Sequence, residues 1–174
     1  DFDLLLKEMH KRNIKLIMDL VVNHSSDEHE WFKQASSSRD NPYRDYYHWW
    51  PAEKGKPPYR WSFFDVNSEA WKYDATTDSY YLHYFSRKQP DLNWENPKLR
   101  QEVYDIMRFW LDKGIDGFRM DAFQYISKDT SWPILPEGYQ KEVQKYYGEG
   151  PHLHEYIQEM NREVLSKYPN AMTV

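Results

Sequence analysis

Cysteine is absent from the chain. That removes disulfides, thiol nucleophiles and thiolate metal sites together, and it fits a reducing compartment, so a cytoplasmic location is expected. No apolar run approaches the roughly 20 residues needed to span a bilayer, and the first residues lack the charged-then-apolar pattern of a secretory leader. Excess positive charge is missing too. With 28 acidic against 23 basic residues the formal net charge is -5, whereas nucleic acid and anionic membranes call for a basic patch, so neither is an expected partner. What the chain does have is the composition of a globular protein that can bury a core, 40% hydrophobic and 29% charged over 174 residues. Aromatic residues make up 18% of it, and 16 of the 31 lie between Tyr43 and Trp94. A segment short of aliphatic side chains needs rings for its own core, so most of these are expected to be buried.

Taken in order, Phe2, Leu5, Leu6 and Met9 recur at helical spacing, and Asn13 is a plausible cap where the pattern ends. Ile14 to His24 is a nearly continuous apolar run, the pattern of a parallel strand buried on both faces. Asp19 interrupts it, and a carboxylate buried there requires a partner, most simply an arginine on a neighbouring strand. From Ser25 to Glu95 the periodicity is lost. Within that stretch Trp71-Lys72-Tyr73 and Tyr80 to Phe85, joined by Asp74 to Ser79, have the pattern of a β-hairpin. Asn96-Pro97 then opens a helix with Leu99, Val103, Ile106, Met107 and Trp110 on one stripe, ended by Gly114. A strand follows to Asp121, then a loop with Pro133, Pro136 and Gly138, a helix from His152 to Tyr168, and a strand from Ala171 to Val174. Helix, strand, insertion, helix, strand, helix, strand is the rhythm of an α/β protein with a parallel sheet. Three strands cannot close a barrel, so the expected architecture is part of a (β/α)8 barrel, with 1–24 as barrel helix and strand, 25–95 as an inserted subdomain containing the hairpin, and 96–174 as further barrel.

The stretch Gly114 to Asp121 carries the chemistry. Alternation along a strand sends Phe118 and Met120 to one face and Arg119 and Asp121 to the other, about 7 Å apart along the chain. A guanidinium at that distance favours the ionised carboxylate, which suits a nucleophile near neutral pH, though a structural ion pair has the same pattern. If the strands ending near His24 and at Asp121 are parallel neighbours, both side chains share the rim where active sites of α/β barrels gather.

Asp19-Leu20-Val21-Val22-Asn23-His24, Gln89-Pro90-Asp91-Leu92-Asn93 and Gly117-Phe118-Arg119-Met120-Asp121 resemble three conserved regions of the α-amylase family, glycoside hydrolase family 13, in their usual order. Asn23-His24-Ser25-Ser26-Asp27, Asp40 to Tyr47, Tyr80-Tyr81-Leu82-His83 and Gly150-Pro151-His152-Leu153-His154 resemble its oligo-1,6-glucosidase and α-glucosidase branch. The resemblance covers essentially the whole chain. It implies a retaining hydrolase of α-glucosidic bonds acting on α-linked glucose oligosaccharides. Asp121 matches the nucleophile, Arg119 the residue that orients it, and His24 a histidine bonded to the sugar at the scissile subsite. Phe64, Phe85 and Gln89 match residues lining that subsite, and Asp19 and Asn23 match residues one layer behind it. The second carboxyl group such enzymes need, about 5 to 5.5 Å from the nucleophile, follows a Thr-Val like Thr173-Val174 in the family. The 174 residues alone are therefore expected to be inactive. Ala122, directly after the nucleophile, tilts the expected linkage toward α-1,4 over α-1,6. One departure is the stretch Phe64 to Trp71, where relatives often carry a short glycine-containing segment.

Asn23 occupies a position that in α-amylases proper helps hold calcium, but one amide without a carboxylate cluster is no metal site, so no metal or cofactor is expected in this chain. Lys128-Asp129 is expected to be a solvent-exposed pair, Asp27 to Glu30 a solvated face, and His152 and His154 surface or capping residues. Two other functions share these motifs. One is a transglycosylase or isomerase of the sucrose isomerase or trehalose synthase type; the other is an inactive relative that uses the barrel for protein interaction, against which stands the presence of His24, Arg119 and Asp121 together. Oligomeric state is not legible.

Overall fold

The computed structural model describes residues 1–65 and 69–174; the departure over 64–71 falls in part on residues outside that description. Helix α1 (Phe2–Lys11) ends as its sequence demands. Asn13 takes the left-handed conformation at φ 58, and the Asn13 and Ile14 N–H groups return to the carbonyls of His10 and Met9, closing the helix with two of its orphan acceptors satisfied. The chain then enters β1 (Ile17–Val21). After a long intervening segment, α3 (Pro97–Asp112), capped by the Asn96 side chain on Lys98 N, leads into β5 (Gly117–Asp121), and α5 (Leu153–Glu163) into β6 (Met172–Thr173). These three strands form a parallel sheet in the order β1-β5-β6, with Asp19 opposite Arg119 and Val21 opposite Asp121.

One face of this sheet is covered. Leu20, Val22 and Phe118 pack with Leu6 of α1, Leu99, Val103, Tyr104, Met107 and Leu111 of α3, and Leu153, Tyr156 and Met160 of α5. The stripe expected on α3 is correct at Leu99, Val103 and Met107, while Ile106, at the stripe's edge, is exposed. The opposite face, with Ile17, Asp19, Val21 and Arg119, is open, which corrects the expectation of a strand buried on both faces: Ile17 and Val21 are 37% and 43% exposed. That is the face which looks inward in a closed barrel. At the N-terminal end of the sheet Asp116 accepts from Leu16 N and His10 Nε2 and pairs with Lys15. Burial works against its ionised form, but these three partners prevail and hold its carboxyl at about 2.

Between β1 and α3 lies a second, antiparallel sheet. Strands β3 (Trp71–Asp74) and β4 (Ser79–Leu82) are the expected hairpin, and β2 (Trp49–Pro51), which no alternation marks, pairs with the other edge of β4. Helices α2 (Glu30–Ala35) and α4 (Val143–Tyr147) are likewise unforeseen, being too short for a periodic stripe. The expected long helix from His152 is instead α5 followed by a 3-10 turn over Leu165–Lys167. Of the 16 rings from Tyr43 to Trp94, six are buried (Tyr46, Tyr47, Trp71, Tyr81, Tyr84 and Trp94), fewer than expected, and seven more are partly buried against the core, while Tyr59, Phe64 and Tyr73 are exposed.

At Gly117 the backbone of β6 lies close against β5. Its φ is +147, and a Cβ there would lie 1.8 Å from the Met172 carbonyl oxygen. Gly117→Ala should cost at least about 2 kcal/mol, against about 1 kcal/mol for Gly55→Ala, where φ is +79 but nothing lies within 4 Å. Denaturant unfolding of the two variants measures the difference; equal losses would show that the close approach is unimportant.

Candidate functional site

The parallel register brings the C-terminal ends of β1 and β5 together, and the polar residues of both collect there. Arg119 Nη1 lies 2.6 Å from Asp121 Oδ1 and 2.9 Å from Asp19 Oδ1. The arginine expected beside Asp19 is therefore Arg119 itself, on the adjacent strand. Asp19 does not sit in a buried strand, however, as its side chain is 55% exposed on the open face. Asp121 is one-third exposed and accessible beside the Arg119 guanidinium. Ala122 turns the chain out of the strand in the left-handed conformation at φ 51, so Phe123 to Tyr125 fold back as a 3-10 turn.

His24, just past β1, is buried and forms an isolated bridge with Asp91. Its ring packs on Phe85 at 5.1 Å, and Phe85 in turn meets Phe64 edge-on at 5.4 Å and stacks on Phe63 at 5.0 Å. Phe64 is 63% exposed, an uncovered ring at the mouth of the site. Both imidazole nitrogens face amides: Asn23 Nδ2 at 3.3 Å from Nδ1, and Gln89 Nε2 at 3.0 Å from Nε2. A doubly protonated ring would thus have to aim N–H bonds at amide NH2 groups on both sides. Burial depresses the pKa of His24, outweighing the opposing fields of Asp91 and Asp121, with Lys128 adding to the depression. A neutral His24 is the consequence.

Beneath this layer lies a charge pair that sequence reasoning misplaced. Lys128, expected at the surface with Asp129, is fully buried, with Nζ 3.2 Å from Asp91 Oδ2, 3.0 Å from Asn23 Oδ1 and 2.8 Å from the Tyr125 carbonyl. The fold-back after Ala122 turns it inward. Burial lowers its pKa and Asp91 opposes that. Asn23 is oriented by the pair, since Oδ1 accepts from Lys128 while Nδ2 faces Asp91 and His24. Asn23 Oδ1, the oxygen a cation would use, already accepts from an ammonium, and its main-chain carbonyl accepts from Leu92 N. Among the described residues no cluster of three His, Asp or Glu side chains is arranged to hold a metal ion, and no helix is long and apolar enough to cross a membrane. The available signal for the pair was Asp91, an acid set between Pro90 and Leu92, which if buried demands a counter-ion. Tyr125 was also missed; it is buried against Phe63 and Phe85 and takes a hydrogen bond from Gln144. His152 pairs with Glu155 near the surface, and His29 caps α2 by accepting from Trp31 N, as their surface assignment required.

His48 and His83 share the depressed state of His24, each chiefly through burial. A histidine whose folded pKa lies below its unfolded value near 6.5 contributes stability that is complete above that pH and is lost as the pH falls toward the folded value. Stability should decline from about pH 6.5 downward, by up to roughly 1.4 kcal/mol per pH unit for each such ring. Asp116, with its carboxyl at about 2, contributes only to a separate loss below about pH 4. Denaturant midpoints measured between pH 7 and 5 test this, and a flat profile there contradicts it.

Comparison with known proteins bears on the same residues. Residues 1–174 match the model of the α-amylase catalytic domain. The chain is 59% identical to an oligo-1,6-glucosidase of Parageobacillus thermoglucosidasius over 180 residues, covering 100% of this chain and 31% of that protein. It is 51% identical to an α-glucosidase of Schizosaccharomyces pombe, covering 97% of this chain and 30% of the relative. Among solved structures, the isomaltulose synthase of Protaminobacter rubrum superposes with a TM-score of 0.93 at 49% identity, over 99% of this chain and 30% of that one. The chain thus spans about a third of the length of the relatives it matches.

Proposed function

Because the chain belongs to the α-amylase catalytic-domain family, we propose that β1, β5 and β6 are a segment of an α/β barrel, that 25–95 is a subdomain inserted into it, and that the protein hydrolyses α-glucosidic bonds of short oligosaccharides with retention of configuration. The observation that carries this reading is the Arg119–Asp121 ion pair at an accessible strand end, beside the neutral His24.

Asp121 attacks the anomeric carbon of the sugar, forming a C–O bond as the glycosidic C–O bond breaks. A second carboxyl group donates the leaving oxygen its proton and then takes one from the water that releases the sugar; we assign that group to the longer protein. Arg119 is shared between Asp121 and Asp19, which fixes the attacking oxygen without burying it. His24 and Gln89 bond sugar hydroxyls, and Phe85 and Phe64 present ring faces to the sugar's C–H surface. Ala122, with no side chain beyond Cβ, leaves room beside the leaving group, and we read it as favouring α-1,4 over α-1,6 links.

The test is the first-formed anomer. The full-length protein, mixed with a chromogenic α-glucoside and followed by NMR, should release α-glucose before mutarotation, and maltose should yield glucose. Initial release of β-glucose, or no turnover of any α-glucoside, would overturn the reading. Sucrose converted to an isomer without net glucose release would replace hydrolysis by isomerisation on the same nucleophile. The 174 residues alone should show no turnover.

A further inference from the structure

A second pocket, of about 400 Å3, opens between the Arg39–Pro51 stretch, the start of β4 and the loop at Thr130–Trp132. None of His24, Phe85, Gln89, Arg119 or Asp121 lines it. Its wall contains a buried cation without a carboxylate partner. Arg44 is 8% exposed. Its Nη1 donates to the Ala35 carbonyl and to Thr77 Oγ1, and its plane rests on Trp49 at 3.4 Å. Nε and Nη2 bond to no described residue, and no described carboxylate forms an ion pair with it. Lys128, equally buried, has Asp91. Burial lowers the pKa of Arg44 to about 10, so it is a cation at neutral pH. Its charged form is favoured by Asp74, reached only through the Thr77 hydroxyl that accepts from Arg44 and donates to Asp74, and by Asp45; no carboxylate touches the guanidinium directly, and a ligand anion in the pocket would supply that direct contact.

The rest of the lining narrows the ligand. Asn93 and Thr130 add hydrogen-bond donors, and Trp132 adds a partly exposed ring. His48 contributes a buried Nε2 with no partner; being neutral, this ring can meet a ligand hydroxyl. Arg39 also lines the pocket, although Glu53 and the carbonyls of Thr77 and Asp78 already occupy it. The space is of the size that holds a small molecule and far exceeds a bare phosphate. One feature opposes an anion: the exposed Asp45 carboxylate at the rim.

We propose that this pocket binds a hydroxylated anion of the sugar-phosphate class, with Arg44 meeting the phosphate and His48 a hydroxyl. This is independent of the nucleophile assignment. The probes are glucose 6-phosphate, inorganic phosphate and glucose, titrated into the full-length protein with the thermal midpoint as readout, since a ligand that binds only the folded state raises it. Glucose 6-phosphate should raise the midpoint saturably and at lower concentration than phosphate. Arg44→Gln should weaken this binding about tenfold or more. Because that variant removes a buried group and can fail to fold, the surface change Asp45→Asn carries the test independently. Removing a like charge should tighten binding of glucose 6-phosphate by about two- to fivefold, whereas a pocket built for a neutral sugar would lose an acceptor and bind less well. No saturable effect of either anion, an equal response to glucose, or weaker binding by Asp45→Asn overturns the proposal.

Discussion

Asp121→Asn in the full-length protein is expected to reduce kcat on α-glucosides by roughly 10^4-fold or more, the scale on which loss of a covalent nucleophile is felt. An amide keeps the shape of the carboxylate but has no anionic oxygen to form the bond to the anomeric carbon. The fold should not suffer. Asp121 is one-third exposed, and Arg119 keeps Asp19 at 2.9 Å when its second partner becomes neutral. Substrate affinity should change far less than turnover, because the sugar contacts proposed for His24, Gln89 and Phe85 come from a different part of the chain. Steady-state kinetics with a chromogenic α-glucoside, alongside a thermal melt, separate the two effects. If turnover falls by less than about tenfold with an unchanged melt, Asp121 is a structural partner of Arg119 and the nucleophile lies elsewhere.

How much of this arrangement could be read without coordinates depends on how far along the chain each interaction reaches. Alternation within one strand suffices to set Arg119 and Asp121 on the same face and Phe118 in the core, and the ion pair at 2.6 Å follows from it. The Arg119–Asp19 pair required one further step, the parallel register of two strands, and that too was legible because a carboxylate in an apolar run asks for a cation. What misled was the assumption that an apolar strand is covered on both faces. Ile17 and Val21 are apolar yet lie on the sheet's open side, and composition cannot say what covers a face. Helices α2 and α4 span six and five residues, less than two turns, so no stripe could mark them. Lys128 failed for a different reason. Its neighbour Asp129 offered a local partner, while its actual partners, Asp91 and Asn23, are brought to it only by the turn after Ala122.

That buried pair carries the second large expectation. Lys128→Met should destabilise the protein by about 3–5 kcal/mol, because it leaves the Asp91 carboxylate, 0% exposed, with no cation. The thermal midpoint should fall by roughly 10 °C. Methionine nearly fills the volume of the lysine stem, so the loss measures charge and not a cavity. The double change Lys128→Met with Asp91→Asn removes both charges and leaves a neutral acceptor for Tyr84 N, which the carboxylate now receives at 3.2 Å. It should recover a substantial part of the loss, since replacing both members of a buried pair is far cheaper than removing one. If the double variant is no more stable than the single, packing and not charge holds the site's floor. Function should follow the same geometry. With Lys128 gone, Asn23 Oδ1 has no donor to fix its amide, Nδ2 is no longer held toward His24, and the imidazole loses the neighbour that sets its plane. Under conditions where Lys128→Met is still folded, the full-length protein should bind substrate more weakly, with KM raised more than kcat is lowered, and the double variant, whose Asn23 remains without its ammonium, should keep that defect even as its stability returns.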